Sequence, residues 1–438
     1  MISFQKKTTK KNTIAVLDGV RGLACLSVLA FHIHLMTLEL HLWSFSTVGT
    51  LASAIMMTGS AGVTLFFVLS GFLLFLPYAK ALLVEENPWP GTGQFYLRRV
   101  LRIFPGYYIS LFLITLWTQS QYLQPAHWKE FGLFLTFLMD STPLTYQKIN
   151  GPYWTLAIEW QFYMLLPFLA LGLSWIARRY ARERRVWIVP LCLLGLMAWG
   201  VSSRYWGGYL MAHPSVTFLI PRPVLNVALF FLYGTSGKYL EDFAVGMLVS
   251  FCYVLSRQAS PLHTLTQHIR RYTWWLWGTG LVWLLVVSLW HLNRWFPNTV
   301  PLFNPVSTSY DWFSELSLSL GFGLCITAIL FGPAELKRLF EWRPLRWLGS
   351  ISYSLYIWHL PILIFFFYSL HIRDIIRNWN PLLAYSLYWL CAVFVIIPFS
   401  YVMYRVVELP GMRLADKLRK KEAKRDVSRH KHVSEKVA

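Results

Sequence analysis

The sequence predicts an all-α polytopic membrane bundle of about ten transmembrane helices, and three observations carry that prediction. Of the 438 residues, 56% are apolar and only 14% charged, whereas soluble domains run at about 25% charged. The 22 Trp, 23 Tyr and 31 Phe form a load suited to lipid-facing surfaces and two membrane interfaces. Apolar runs of about the length that crosses a bilayer follow one another with short connections, which leaves room for one membrane-embedded domain and no large appendage.

The runs fall at residues 22–40, 61–80, 103–119, 159–176, 187–203, 241–256, 274–292, 313–331, 350–369 and 383–406. The first follows a basic start (Lys6, Lys7, Lys10, Lys11) without a cleavage-site pattern and carries His32 and His34, so it reads as a retained span rather than a signal peptide. Charge asymmetry orders the loops, because cytoplasmic loops hold the excess of Lys and Arg. Basic residues gather before the first span, at 80–102, 177–186, 257–273 and 332–349, and in the tail. The alternate loops are poorer, with none at 41–60 and Arg294 alone near the start of the eighth span. The expectation is two cytoplasmic termini: a basic N-terminus (1–18), the membrane domain (19–410) and a basic tail (411–438) that touches anionic lipid.

An eleventh crossing would invert every later loop, so 224–234 reads as a re-entrant or interfacial segment, tolerated where its backbone is covered. No internal repeat is visible, which weighs against a transporter of inverted halves. The five cysteines (Cys25, Cys192, Cys252, Cys325, Cys391) all sit in apolar runs without a CxxC spacing and read as packing residues, neither disulfide framework nor metal site. The net charge of +20 is a topological signal here, and no nucleic-acid partner is expected.

Ionisable groups within spans are costly and are therefore functional candidates. In LDGVRGLACLSVLAFHIH, Arg21 and His32 lie eleven residues apart, which at about 100° and 1.5 Å per residue puts them on one helix face, roughly 16 Å apart. Arg21 is expected at the cytoplasmic edge, paired with Asp18, and His32 near mid-membrane; His34 points elsewhere. In FYLRRVLRIFPGYY, Arg99 and Arg102 are one turn apart at the mouth of the third span, where guanidinium pairs suit phosphate as well as simple anchoring. Glu159 opens the fourth span and His359 lies in the ninth at the depth of His32, so two imidazoles and a carboxylate could surround one cavity. Histidine is the side chain suited to general-base work near neutral pH. Glu241, Asp242, Glu315 and Glu408 fall near span ends, where capping or ion pairing is expected.

Together with GSAGVTLFFVLSGFLL, GPYWTLAIEWQFYMLLP and LGSISYSLYIWHLPI, these segments resemble, in order, the motifs of the membrane-bound acyltransferase 3 family of bacterial O-acyltransferases, across about residues 17–410. The resemblance implies transfer of an acyl group, usually acetyl, from cytoplasmic acyl-CoA as co-substrate, with no bound cofactor and no metal. The acceptor would be a hydroxyl of a carbohydrate or glycoconjugate. It places the family's Arg-x10-His motif on Arg21 and His32, with His32 catalytic, and its donor-associated RxxR motif on Arg99 and Arg102. Its Ser-Gly-Phe falls on Ser70, Gly71 and Phe72, and Ser70 goes with the donor. Its Trp-Ser/Thr-Leu-x-x-Glu falls on Trp154, Thr155, Leu156 and Glu159. Its late Tyr/His motif falls on Tyr353, Tyr356 and His359, which with Trp154 are assigned to the acceptor or the cavity. Where the family often carries two adjacent acids, Trp160 follows Glu159 here. The sequence ends soon after the tenth span, so the expectation is a stand-alone member without the SGNH-type extracytoplasmic domain, working alone or with a separate partner outside.

The expected location is the cell (inner) membrane, as a multi-pass protein. A transporter or channel for a small anion or lipid-linked sugar is the rival reading; the missing repeat and the arginines clustered by a histidine-bearing span weigh against it. A non-catalytic scaffold leaves His32, Glu159 and His359 unexplained.

Overall fold

The computed structural model describes residues 14–39, 49–84, 87–257, 263–376 and 379–419. Among them the chain is helical with no strand, as expected where lipid offers backbone groups no hydrogen-bond partner and each segment must satisfy its own. The principal helices are α1 (Ala15–Glu39), α2 (Thr50–Met57), α3 (Gly62–Leu83), α4 (Thr92–Thr118), α5 (Tyr153–Ala177), α6 (Arg182–Ala212), α7 (Arg222–Leu232) and α8 (Leu240–Leu255). They continue as α9 (Thr273–Trp295), α10 (Tyr310–Phe331), α11 (Arg343–Ser350), α12 (Ser352–Ile364) and α13 (Leu382–Arg419).

Eight helices among the described residues are long and apolar enough to cross a membrane, and a ninth crossing is the pair α11–α12, bent by 75° at Ile351. The chain is thus a multi-pass all-α membrane protein. The difference from ten lies in the run 241–256, which forms α8, a 16-residue helix. It is packed among α3, α6 and α10, so its apolar residues meet protein rather than lipid. The segment 222–232 is a single short helix that buries Leu225 and Leu229 and exposes Val224, Val227 and Phe231, in keeping with a non-crossing segment. The first 13 residues, and the tail beyond Arg419, lie outside the described residues.

Small residues let the central helices touch. A Cβ on Gly71 of α3 would overlap the backbone of Phe243, and one on Gly246 of α8 would overlap that of Val68, so the two helices cross at backbone contact, as small-residue interfaces in membranes do. Gly22 and Gly349 seat α11 against α1 in the same way, which fixes the helix that carries Arg21. One large core, including Phe67, Tyr107, Tyr153, Phe162, Phe243 and Tyr388, joins α1, α3, α4, α5, α8, α12 and α13.

Candidate active site

The helices start earlier than the apolar runs, and this moves the charged residues inward. Because α1 begins at Ala15 and α4 at Thr92, Arg21, Arg99 and Arg102 lie within helices rather than at span edges. No Asp18–Arg21 ion pair forms, contrary to expectation. Instead the three arginines line one central cavity with Ser70, Glu159, Tyr163, Thr155, Tyr353 and Tyr356. None of the three makes an ion pair with another described residue, and the buried Nε of Arg99 has no hydrogen-bond partner among them. Glu159 is engaged by hydroxyls: Ser70 Oγ donates to its Oε1 at 2.7 Å and Tyr163 donates to the same oxygen. The cavity lining holds three guanidiniums and one carboxylate, an excess of positive charge suited to an anion. Its volume is about 80 Å³, against about 10–15 Å³ for one water. That is room for several waters or the reacting end of a substrate, not for a nucleotide.

The histidines do not line this cavity. They meet one step further along α1 and α12, beyond Tyr356, whose ring is 5.8 Å from that of His359 and 6.0 Å from that of Phe66 in the cavity wall. The expected single cavity of two imidazoles and a carboxylate is therefore split: Glu159 sits with the arginines and the imidazoles form a pair of their own. His359, 1% exposed, has Nδ1 at 2.7 Å from the carbonyl of Tyr356 and 3.2 Å from that of Leu355. Carbonyls only accept, so this nitrogen carries the proton and Nε2 is an acceptor. Nδ1 of His32 lies 2.9 Å from the carbonyl of Val28 and 3.2 Å from Nε2 of His359. It is the donor in both contacts, which leaves Nε2 of His32 with the lone pair in the neutral ring. The network thus fixes both tautomers and leaves Nε2 of His32 as its acceptor nitrogen.

The other predicted residues divide between the two levels. The Tyr353 hydroxyl donates to the carbonyl of Ile103 at 2.7 Å, which ties α12 to α4 at the arginine level. The Tyr356 hydroxyl takes a 2.8 Å hydrogen bond from Thr155. Trp154 stands outside the cavity lining, half-buried between Tyr146 and Tyr239 at ring separations of 5.6 and 5.4 Å.

A second polar cluster replaces the expected capping residues. Glu241, at 1% exposure, Asp242 and Glu408 are buried, not interfacial. Arg204 of α6, one residue past the apolar run 187–203, holds Oε1 of Glu241 at 2.8 and 3.1 Å and stacks 4.3 Å over the Tyr239 ring. Glu315 accepts from Thr64 at 2.7 Å, and Glu408 accepts from Ser354. Lys238 and Gln161 both bond Asp140, tying the loop before α8 to the loop before α5. The apolar run 187–203 stops just short of Arg204, so its period gave no sign that the helix carries on to Ala212.

Comparison with known proteins gives the family. An acyltransferase domain (acyltransferase 3) matches residues 14–405. The chain is 24% identical over 379 residues to the peptidoglycan O-acetyltransferase OatA of Listeria monocytogenes, covering 82% of this chain and 51% of that protein. It is 24% identical over 381 residues to the O-acetyltransferase OatA of Staphylococcus aureus, covering 80% and 50%. The chain thus spans about half the length of these relatives. No solved structure matches it. With the match covering nearly every helix described above, the chain belongs to the membrane-bound acyltransferase 3 family.

Proposed function

We propose that the chain is an O-acyltransferase of the inner membrane that moves an acyl group, acetyl in the first instance, from cytoplasmic acyl-CoA to a hydroxyl of a carbohydrate or glycoconjugate. The observation that carries this reading is the arrangement along α1. An anion-binding set of arginines around Arg21 is followed, roughly 16 Å along the same face, by a histidine whose free nitrogen is a base. A thioester donor with a diphosphate at one end and its reactive carbonyl at the end of a thin arm needs that separation.

In this reading Arg21, Arg99 and Arg102 hold the donor phosphates by charge-assisted contacts, and the arm passes Ser70 and Tyr356 to bring the thioester to His32. Nε2 of His32 takes the proton of the acceptor hydroxyl as its oxygen attacks the thioester carbonyl. The tetrahedral intermediate collapses with loss of the thiolate, and the imidazolium returns the proton to sulfur. The products are the ester and free CoA thiol. Glu159, held by Ser70 and Tyr163, offsets part of the arginine charge and orders the cavity. Trp154, half-buried with Tyr146 and Tyr239 against it, offers an aromatic face to a sugar ring. The relatives' printed names put peptidoglycan first among acceptors to try.

The test is acceptor-dependent thiol release by the purified full-length chain. General-base assistance is worth roughly 10²- to 10⁴-fold, and His32→Ala is expected to lose on that scale while remaining folded. Near-normal turnover by that variant would falsify the assignment of His32.

A further inference from the structure

A second cavity, of about 270 Å³, has no part in the chemistry above. It is lined by Ala81, Leu82, Asn87, Trp89, Ala177, Arg178 and Arg185, at the end of the bundle where α3 and α5 finish and α4 and α6 begin. Two helices lead from the central cavity to it along continuous stripes. On α3 the stripe is Ser70, Leu74, Tyr78, Ala81 and Leu82; on α5 it is Glu159, Tyr163, Leu166, Ala170, Leu173 and Ala177. Both follow the three- and four-residue spacing of one helix face. Leu74 of the central cavity and Leu82 of the second are about 12 Å apart along α3, a distance on the scale of a nucleotide. Between them lies Tyr78, fully buried, whose hydroxyl has no hydrogen-bond partner among the described residues. Both stripes are packed core, with Leu74 8% exposed and Leu166 and Ala170 fully buried, so a donor spanning the two cavities has to part them, and its phosphate or ribose oxygen would then meet this hydroxyl.

The lining fits one chemical class. Trp89 is half-buried, braced by Tyr78 at 5.3 Å, and gives a flat π surface of the kind on which bases stack. Arg178 and Arg185 supply guanidiniums matched to phosphate. We propose that this cavity takes the nucleotide end of the donor, with the adenine against Trp89 and the 3′-phosphate held by Arg178 and Arg185. The diphosphate then reaches the arginines of the central cavity and the arm continues to His32. This rests on the reading of acyl-CoA as donor, and it adds a site remote from the reacting atoms that decides which thioesters are used.

The experiment compares acetyl-CoA with S-acetyl-pantetheine, which has the same thioester and no nucleotide, on the full-length protein in detergent. The readout is the ratio of their kcat/KM values. Trp89→Ala is expected to lower the ratio about 5- to 150-fold, the range that stacking a base on an aromatic ring carries, and Trp89→Phe, which keeps a ring, to restore most of it. Arg178→Glu with Arg185→Glu is expected to lower it further, and 3′-dephospho-acetyl-CoA to be nearly indifferent to that pair. An unchanged ratio in Trp89→Ala, or equal losses with both donors, overturns the nucleotide site while leaving the donor reading intact. Absence of any thiol release from acetyl-CoA by the wild-type chain overturns the donor reading and the site with it.

Discussion

The contact between the two imidazoles makes a quantitative prediction. In the proposed transfer His32 becomes an imidazolium, and its Nδ1–H then points at Nε2 of His359, 3.2 Å away, as well as at the Val28 carbonyl 2.9 Å away. A hydrogen bond to a charged group contributes about 1.5–3 kcal/mol, which corresponds to roughly 10- to 150-fold in rate at 1.36 kcal/mol per decade. His359→Leu removes that acceptor at similar volume. It removes little else, because the carbonyls of Leu355 and Tyr356 that His359 contacts belong to a helix. His359→Gln keeps an acceptor oxygen near the position of Nε2. Initial rates of thiol release at saturating acetyl-CoA are expected to fall about 10- to 150-fold in His359→Leu and to recover substantially in His359→Gln. KM for acetyl-CoA should move little in either, since the arginine cavity is a separate level of the bundle. The reasoning is refuted if His359→Leu keeps full kcat, or if the Leu and Gln variants are equally impaired.

Other consequences can be checked alongside. Charge reversal at Arg99 and Arg102 should raise KM for acetyl-CoA at least tenfold, since a hydrogen bond from a guanidinium to a phosphate oxygen is worth about 1.5–3 kcal/mol; unchanged donor affinity by calorimetry would remove their phosphate role. Trp154→Ala should raise KM for the carbohydrate acceptor with little change in donor KM, and the opposite pattern would move Trp154 to the donor side. Arg204→Leu strands the Glu241 carboxylate, 1% exposed, and should cost about 3–5 kcal/mol, read as an earlier thermal transition in detergent. The double change Arg204→Leu with Glu241→Leu should regain much of that loss, and a single variant as stable as wild type would show the pair to be dispensable. Gly246→Leu places a side chain where the Val68 backbone lies, so accumulation of folded protein should fall sharply, as measured by fluorescence-detected size exclusion.

How much of this protein is legible in its consecutive residues follows from the membrane as solvent. Apolar runs of spanning length and a shortage of charge set the all-α multi-pass class. Eleven residues between Arg21 and His32 set their shared face and spacing, because helix geometry is local and lipid leaves no other regular structure open to an isolated segment. The residue types around them pointed to anion binding and proton transfer for the same reason: an ionisable group in lipid needs a task or a partner. Which distant residues meet was settled by tertiary packing alone. Nothing local to 159 says that Glu159 faces Ser70 and the arginines rather than His32, since that depends on how far α5 slides along α3. Nothing local to 359 says that Nε2 of His359 falls 3.2 Å from His32, since the bend of 75° at Ile351 aims α12. The burial of Glu241 and Asp242, which their place at the start of an apolar run concealed, likewise depends on α8 being enclosed by α3, α6 and α10. Helix periodicity is written in consecutive residues; helix offset, tilt and enclosure are set by side chains far apart in the chain, through close packing at glycines such as Gly71 and Gly246.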